Sequence, residues 1–122
     1  MIYRSMTPGD RRFVVPTWAK SSRYDGLYLR ERFELIDRIL DTGARVSVLS
    51  TDGRSVHAWA CGSDDTLHYV YVPPELRGHG IGRRAIAHVL DDYDCHINVT
   101  HQWPRSSSRF RYTPHLLQRD AA

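Results

Sequence analysis

The chain has 122 residues, enough for one domain with a real hydrophobic core and too few for two. With 41% hydrophobic and 25% charged residues the composition is that of a folded globular protein, which excludes a disordered chain, and no apolar run approaches the roughly 20 residues of a membrane span. The net charge of +3 permits an anionic partner without requiring one, and the N-terminus lacks the apolar core of a secretory signal, so a cytoplasmic location is expected.

In chain order, residues 2–6 read as a short strand. The sequence TPGD at 7–10 then has the features of a helix start: Thr7 as N-cap, Pro8 in the first turn, and Asp10 placed to reach back to the cap. Phe13, Val14 and Trp18 follow, and Pro16 among them predicts a kink or an early end. Residues 27–42 carry Leu29, Phe33, Ile36 and Leu40 at helical spacing, with Gly43 where a C-terminal glycine belongs. The polar stretch KSSRYDG, containing Tyr24, joins the two helices.

After Gly43 the period changes to two. RVSVLS, SVHAWAC and TLHYVYV are separated by the polar turns TDGR and GSDD, which predicts three antiparallel strands in a meander. Pro73 and Pro74 end the last of them. A helix is expected from the glycine segment to about residue 93, with Ile81, Ala85, Ile86, Val89 and Leu90 towards the sheet, and a strand over 95–100. The remainder is too short for another full helix plus two strands.

Cys61 and Cys95 fall in predicted strands and are read as buried thiols, not as a disulfide or metal pair. The histidines His57, His68, His79, His88, His96, His101 and His115 show no metal-binding spacing. His57 and Trp59 alternate with Cys61 and either line an acceptor pocket or simply pack. Lys20 is the only lysine among seventeen basic residues. Arginine's planar fork suits phosphate, although a genome rich in G and C gives the same bias.

The stretch YVYVPPELRGHGIGRRAI runs a strand through a proline turn into Gly78, Gly80 and Gly82, and then into a helix. A helix N-terminus exposes unpaired amides and a partial positive charge, and glycine lets an anion approach the backbone closely. With Arg77, Arg83 and Arg84 around it, the segment is suited to a phosphate, and best to a diphosphate. A Rossmann dinucleotide site would have its first strand lead into the glycines and an acid about 20 residues on. Here three strands come first.

RGHGIG matches, at Arg77, Gly80 and Gly82, the R/Q-x-x-G-x-G/A signature of the GCN5-related N-acetyltransferases, and it follows a strand ending YVYVPPEL. Over roughly residues 2–100 the chain resembles this family in the order of its elements. The resemblance implies an α+β, GNAT-like acyl-CoA N-acyltransferase fold: a central, mostly antiparallel sheet flanked by helices, with a reduced C-terminal part. Residues 1–122 form one domain on this reading, 1–100 as core and 101–122 as an atypical short C-terminal segment.

The resemblance also implies acetyl-CoA as cofactor. Its pyrophosphate would lie on Gly78, His79, Gly80, Ile81, Gly82 and Arg83, flanked by Arg77 and Arg84. Its pantetheine would run along Val70, Tyr71 and Val72, with Asn98 near the cofactor and the amide of Val72 or a neighbour polarising the thioester. Many members place a glutamate before the signature as general base. Counting back, that position is His68, whose intrinsic pKa near 6.5 suits the role. The usual tyrosine acid has no counterpart in sequence order; Tyr112 is taken for the role, with Tyr24, Tyr69 and solvent as alternatives.

The expected activity is transfer of an acetyl group to a primary amine, by direct attack, on a small-molecule or protein acceptor. Small truncated members resemble those encoded by bacteriophages, some relatives of which modify DNA bases, and this is the alternative activity. A module that binds acyl-CoA without catalysis is the third reading. The tail residues Trp103, Arg105, Arg109, Phe110, Arg111 and Tyr112 could read nucleic acid or cover an open sheet edge, and the modest charge favours the second. A shortened sheet also leaves room for a homodimer.

Overall fold

The computed structural model describes residues 1–22, 24, 26–90, 97–101, 110–114 and 116. The chain begins with strand β1 (Ile2–Ser5) and helix α1 (Pro8–Ser21). The predicted capping box is present: the Asp10 amide donates to the Thr7 hydroxyl at 3.3 Å, and the Thr7 amide donates to the Asp10 carboxylate at 2.8 Å. The early end expected at Pro16 does not occur. Proline removes one donor from the helix ladder, but Val14, Val15, Trp18 and Ala19 are buried on both sides of it and hold the helix through to Ser21.

Helix α2 (Leu29–Asp41) lies within the predicted 27–42 and buries Leu35, Ile36, Ile39 and Leu40, whereas Leu29 stays exposed. Gly43 follows with φ of 98°, the left-handed conformation that ends a helix. Strand β2 (Arg45–Ser50) matches its prediction, while β3 (Ala58–Ser63) starts three residues later than the SVHAWAC pattern suggests. Asp52 explains the delay. Its carboxylate accepts from the amides of Arg54 and Ser55 at 2.8 and 2.7 Å, which coils the chain into a turn there.

Strand β4 (Thr66–Tyr71) is followed by a single 3-10 turn (Pro74–Leu76) and by helix α3 (Ile81–Ala87), shorter than the helix expected to residue 93. Strands β5 (Ile97–Val99) and β6 (Phe110–Tyr112) complete a six-stranded sheet among the described residues, in the order β1 to β6. The first three pairings are antiparallel; β4–β5 and β5–β6 are parallel. The short C-terminal segment supplies one strand, β6, which the sequence reading did not predict, and this is consistent with its being too short for a full helix plus two strands. Cys61 is buried on β3, as expected, and Cys95 lies outside the described residues.

The sheet is covered on both faces. On one, Val46, Val48, Trp59, Cys61 and Tyr69 pack against the buried stripes of α1 and α2. On the other, Ala60 and Leu67 with Ile97 and Val99 pack against Ala85, Ile86, Val89 and Leu90 from α3 and the turn after it. A bulge in β4 sorts its residues between these faces. Cys61 faces Tyr69 but Gly62 faces Leu67, so the register skips His68. In a regular strand Leu67 and Tyr69, two residues apart, would share a face.

Candidate active site

The parallel pairing of β4 and β5 is brief. It runs Thr66 to Asn98 and Leu67 to Val99, with backbone bonds from the Asn98 amide to the Asp65 carbonyl and from the Thr100 amide to the Leu67 carbonyl, both at 3.1 Å. β4 continues to Tyr71, so among the described residues the two strands part beside Tyr69, Val70 and Tyr71. The closed end of this gap is bridged by side chains: His68, wholly buried at the bulge, places Nδ1 2.9 Å from the Thr100 hydroxyl. His101 comes next. It is buried with its ring edge-on to Tyr69 and Tyr24, at centroid distances of 4.9 and 5.2 Å.

Aromatic rings fill the side of the sheet under α1. Trp18 stacks on Tyr69 at 5.8 Å, and Trp59 stacks on Tyr71 at 6.2 Å. Their polar ends are anchored to α1 and the connection after it. The Tyr69 hydroxyl donates to Ser21 Oγ and the Trp18 indole N–H donates to the Tyr24 hydroxyl, both at 2.9 Å. Arg32 holds that connection, since its Nη1 donates to the carbonyls of Ala19 and Ser22 at 2.8 Å and so satisfies the open end of α1. Burial pushes the Tyr24 phenol well above its usual value, so it keeps its proton.

Beyond Tyr71 the chain turns through the prolines into the glycine segment. Gly78 and Gly80 have φ of 86° and 74°, and a Cβ on either would meet nothing within 4 Å, so this backbone is bare as well as left-handed. Gly80 is the N-cap of α3 without a side-chain cap. The backbone bonds of the segment belong to Leu76, Arg77 and Arg84, which leaves the amides of 78–83 open among the described residues. Arg77, His79, Arg83 and Arg84 are exposed around them. Gly82 differs from them: a Cβ there would sit 3.4 Å from Val72 and 3.6 Å from Val70, an ordinary packing contact between α3 and β4.

Two bonds fix this segment to the sheet. Arg77 Nε donates to the Val72 carbonyl at 2.9 Å, leaving Val72 to offer its amide. From β1, the Tyr3 hydroxyl donates to the Ile81 carbonyl at 3.2 Å, while its ring stacks on His88 at 4.9 Å. Tyr3 thus touches α3 at its first residue and at the residue that caps its end.

Most of the residues singled out in the sequence come together here: Val70, Tyr71 and Val72 on the parted strand, the signature segment at its end, and His68 at the bulge. Asn98 does not join them. It pairs with Thr66 at the far end of β4, and its side-chain amide donates to Asp65 at 3.0 Å. Tyr112 lies on β6 opposite Val99, half exposed and near enough to Tyr24 to act on its phenol electrostatically. His57 stands apart in the β2–β3 turn, 3.2 Å from both Thr51 and Ser55 hydroxyls. A cavity of about 390 Å³ lies elsewhere, lined by β1, β2 and His88. Among the described residues no group of histidines, cysteines and acids could hold a metal ion, and no helix is long and apolar enough to cross a membrane.

Thr100, His101 and Arg32 were not singled out from the sequence. No local pattern distinguishes them, because each acquires its place from a partner on another element.

Residues 15–107 match the acetyltransferase (GNAT) family, and the chain belongs to that family. Among solved structures, the fold is similar to yncA of Salmonella typhimurium, described as an acetyltransferase and solved with its cofactor acetyl-CoA: 19% identity, TM-score 0.51, covering 73% of this chain and 60% of that one. It is also similar to a GNAT-family protein of Desulfovibrio desulfuricans (22% identity, TM-score 0.51, 72% and 62% covered). A third is the ribosomal-protein-alanine N-acetyltransferase of Brucella melitensis (20% identity, TM-score 0.50, 73% and 64% covered). This chain thus spans under two thirds of the length of these structures, and the likeness is one of fold. No curated protein matches the sequence.

Proposed function

We propose that the chain is an acyl-CoA-dependent N-acetyltransferase, using acetyl-CoA to acetylate a primary amine by direct attack. One observation carries this reading: bare left-handed glycines and open amides stand directly beyond the strand that parts from β5. The residues fit the group. Amides of 78–83 would hold its pyrophosphate, aided by exposed arginines, and the edge of Val70, Tyr71 and Val72 would take the pantetheine. When bound, acetyl-CoA supplies an activated acetyl thioester.

The chain's own residues supply the surroundings of the reaction. The Val72 amide is a donor for the thioester carbonyl, its own carbonyl being engaged by Arg77. His68, in the position of the family's glutamate, is an ionisable group at the closed end of the gap. Tyr112 is taken as the proton donor to a departing thiolate; Tyr24 is less suited, because burial makes its phenol reluctant to lose its proton. The acceptor is a small-molecule or protein amine. The DNA-modifying alternative rests on a tail of which Trp103, Arg105 and Arg109 lie outside the described residues, so no observation favours it.

Replacing Gly80 by tryptophan tests the cofactor assignment. The left-handed φ and the side chain over the open amides should abolish acetyl-CoA binding by calorimetry, while circular dichroism shows a folded protein. Unchanged affinity in a folded Gly80→Trp protein would sink the assignment.

A further inference from the structure

The cavity of about 390 Å³ beside β1 and the start of β2 falls within the roughly 300–1,000 Å³ of small-molecule sites. Four of its lining residues share one face of the sheet. Ser5 lies directly opposite Ser47 in the antiparallel register, and Tyr3 and Arg45 stand two residues from them on the same side. Tyr3 reaches Ile81 and His88, so this is the face that bears α3. The helix ends at Ala87, and His88 walls the cavity on that side.

On this face of β2 Leu49 packs against Ile81, as a strand under a helix should. Ser47 breaks the pattern, since it is only 5% exposed yet polar. Among the described residues neither its hydroxyl nor that of Ser5 has a hydrogen-bond partner, and no acid lines the cavity. Directly opposed residues have Cβ atoms about 5 Å apart, a span that one tetrahedral anion bridges. Arg4 adds little, because its guanidinium is taken by Asp10. Arg45 supplies the charge: it is exposed, and its guanidinium has five donors, more than one protein partner takes.

Three donor groups on one wall want three acceptor oxygens. A carboxylate has two, whereas the phosphate of a monoester has three and leaves its ester oxygen to lead into the rest of the cavity. We propose that this cavity is a second ligand site, for a small phosphate monoester whose phosphate accepts from Ser5, Arg45 and Ser47 and whose organic part lies against Tyr3 and His88. The site goes beyond the acetyltransferase reading and does not rest on it, because residues 77–84 line no part of the cavity.

The test is a ¹H–¹⁵N titration of the whole protein with ribose 5-phosphate, and with ribose and citrate as the sugar and carboxylate arms. We expect the amides of Tyr3, Ser5, Ala44, Arg45 and Ser47 to shift along one saturation curve with ribose 5-phosphate, to ignore ribose and to respond more weakly to citrate. Replacing both Ser5 and Ser47 by alanine should weaken that binding about tenfold or more, and so should Arg45→Gln, since each change removes donors to a charged group. Shifts confined to residues 78–83 would overturn this site, because the phosphate would then be held by the glycine segment alone. An equal response to ribose or citrate would overturn the ligand class, and unchanged affinity in the folded double alanine variant would overturn the assigned donors. Should that variant not fold, Arg45→Gln decides. Acetyl-CoA added to the same samples reports the other reading separately: no shift at 78–83 would count against the proposed function and leave the cavity result standing.

Discussion

Gly62 stands where no side chain fits. A Cβ there would lie 2.8 Å from the Thr66 carbonyl oxygen and 2.9 Å from a Leu90 methyl, and the first of these belongs to backbone that cannot swing away. Gly62→Ala should therefore destabilise the protein by about 1–3 kcal/mol, read as a lower midpoint in urea, because the β3–β4 hairpin must move off the α3 side to admit one carbon. An unchanged midpoint would mean that the hairpin is not packed as described. The sequence gives no warning of this. A glycine followed by SDD reads as turn chemistry, and only the fold brings Leu90 against it. The same is true of His68, whose place in the family pattern could be counted but whose bond to Thr100 joins residues 32 apart.

Among the elements, α1 is held at its start by charge as well as by its cap. Arg4 on β1 grips both carboxylate oxygens of Asp10, which is nearly buried and also closes the box with Thr7. The Arg4 bonds, followed by those from Thr7, hold the Asp10 carboxyl below its ordinary 3.8. A depressed folded value means stability that is complete above 3.8 and lost as pH falls through the lower folded value. Asp10→Asn should cost about 2–4 kcal/mol near neutrality, since it leaves Arg4 without its carboxylate, and should flatten the acid side of a plot of melting temperature against pH. Part of the slope should remain, because Asp52, held down to about 2 chiefly by the Ser55 amide, is untouched. An acid limb as steep as the wild type's would remove Asp10 from this role.

This cap was legible in TPGD because a capping box is local chemistry: every partner lies within four residues. So were the meander and the glycine signature, which depend on period and spacing. The run of α1 past Pro16 was not, since it depends on Trp18 and its neighbours being buried under the sheet. Nor was β6, three residues long and paired in parallel across a long connection.

At the scale of the whole molecule, the sheet works as a partition. Helices α1 and α2 with an aromatic layer lie on one side, and α3 with a small aliphatic core lies on the other. In the proposed function the cofactor and the acceptor would meet where β4 parts from β5. That parting coincides with the skipped residue of β4.

That skip has a consequence for changes of length. Along a regular strand, losing one residue exchanges the two faces of everything beyond it, and here that would turn either Leu67 or the pair Tyr69 and Tyr71 out of its core. At position 68 alone the count is already one too many. A chain lacking His68 would keep Leu67 opposite Gly62 and Tyr69 opposite Cys61 in an unbroken ladder. The single-residue deletion should therefore fold, whereas deletion of Val70 should not, and the shortened strand, deprived of its bend, should bind acetyl-CoA at least tenfold more weakly by calorimetry. A deletion variant that unfolded, or that bound as well as the parent, would show that β4 does not carry a dispensable residue there.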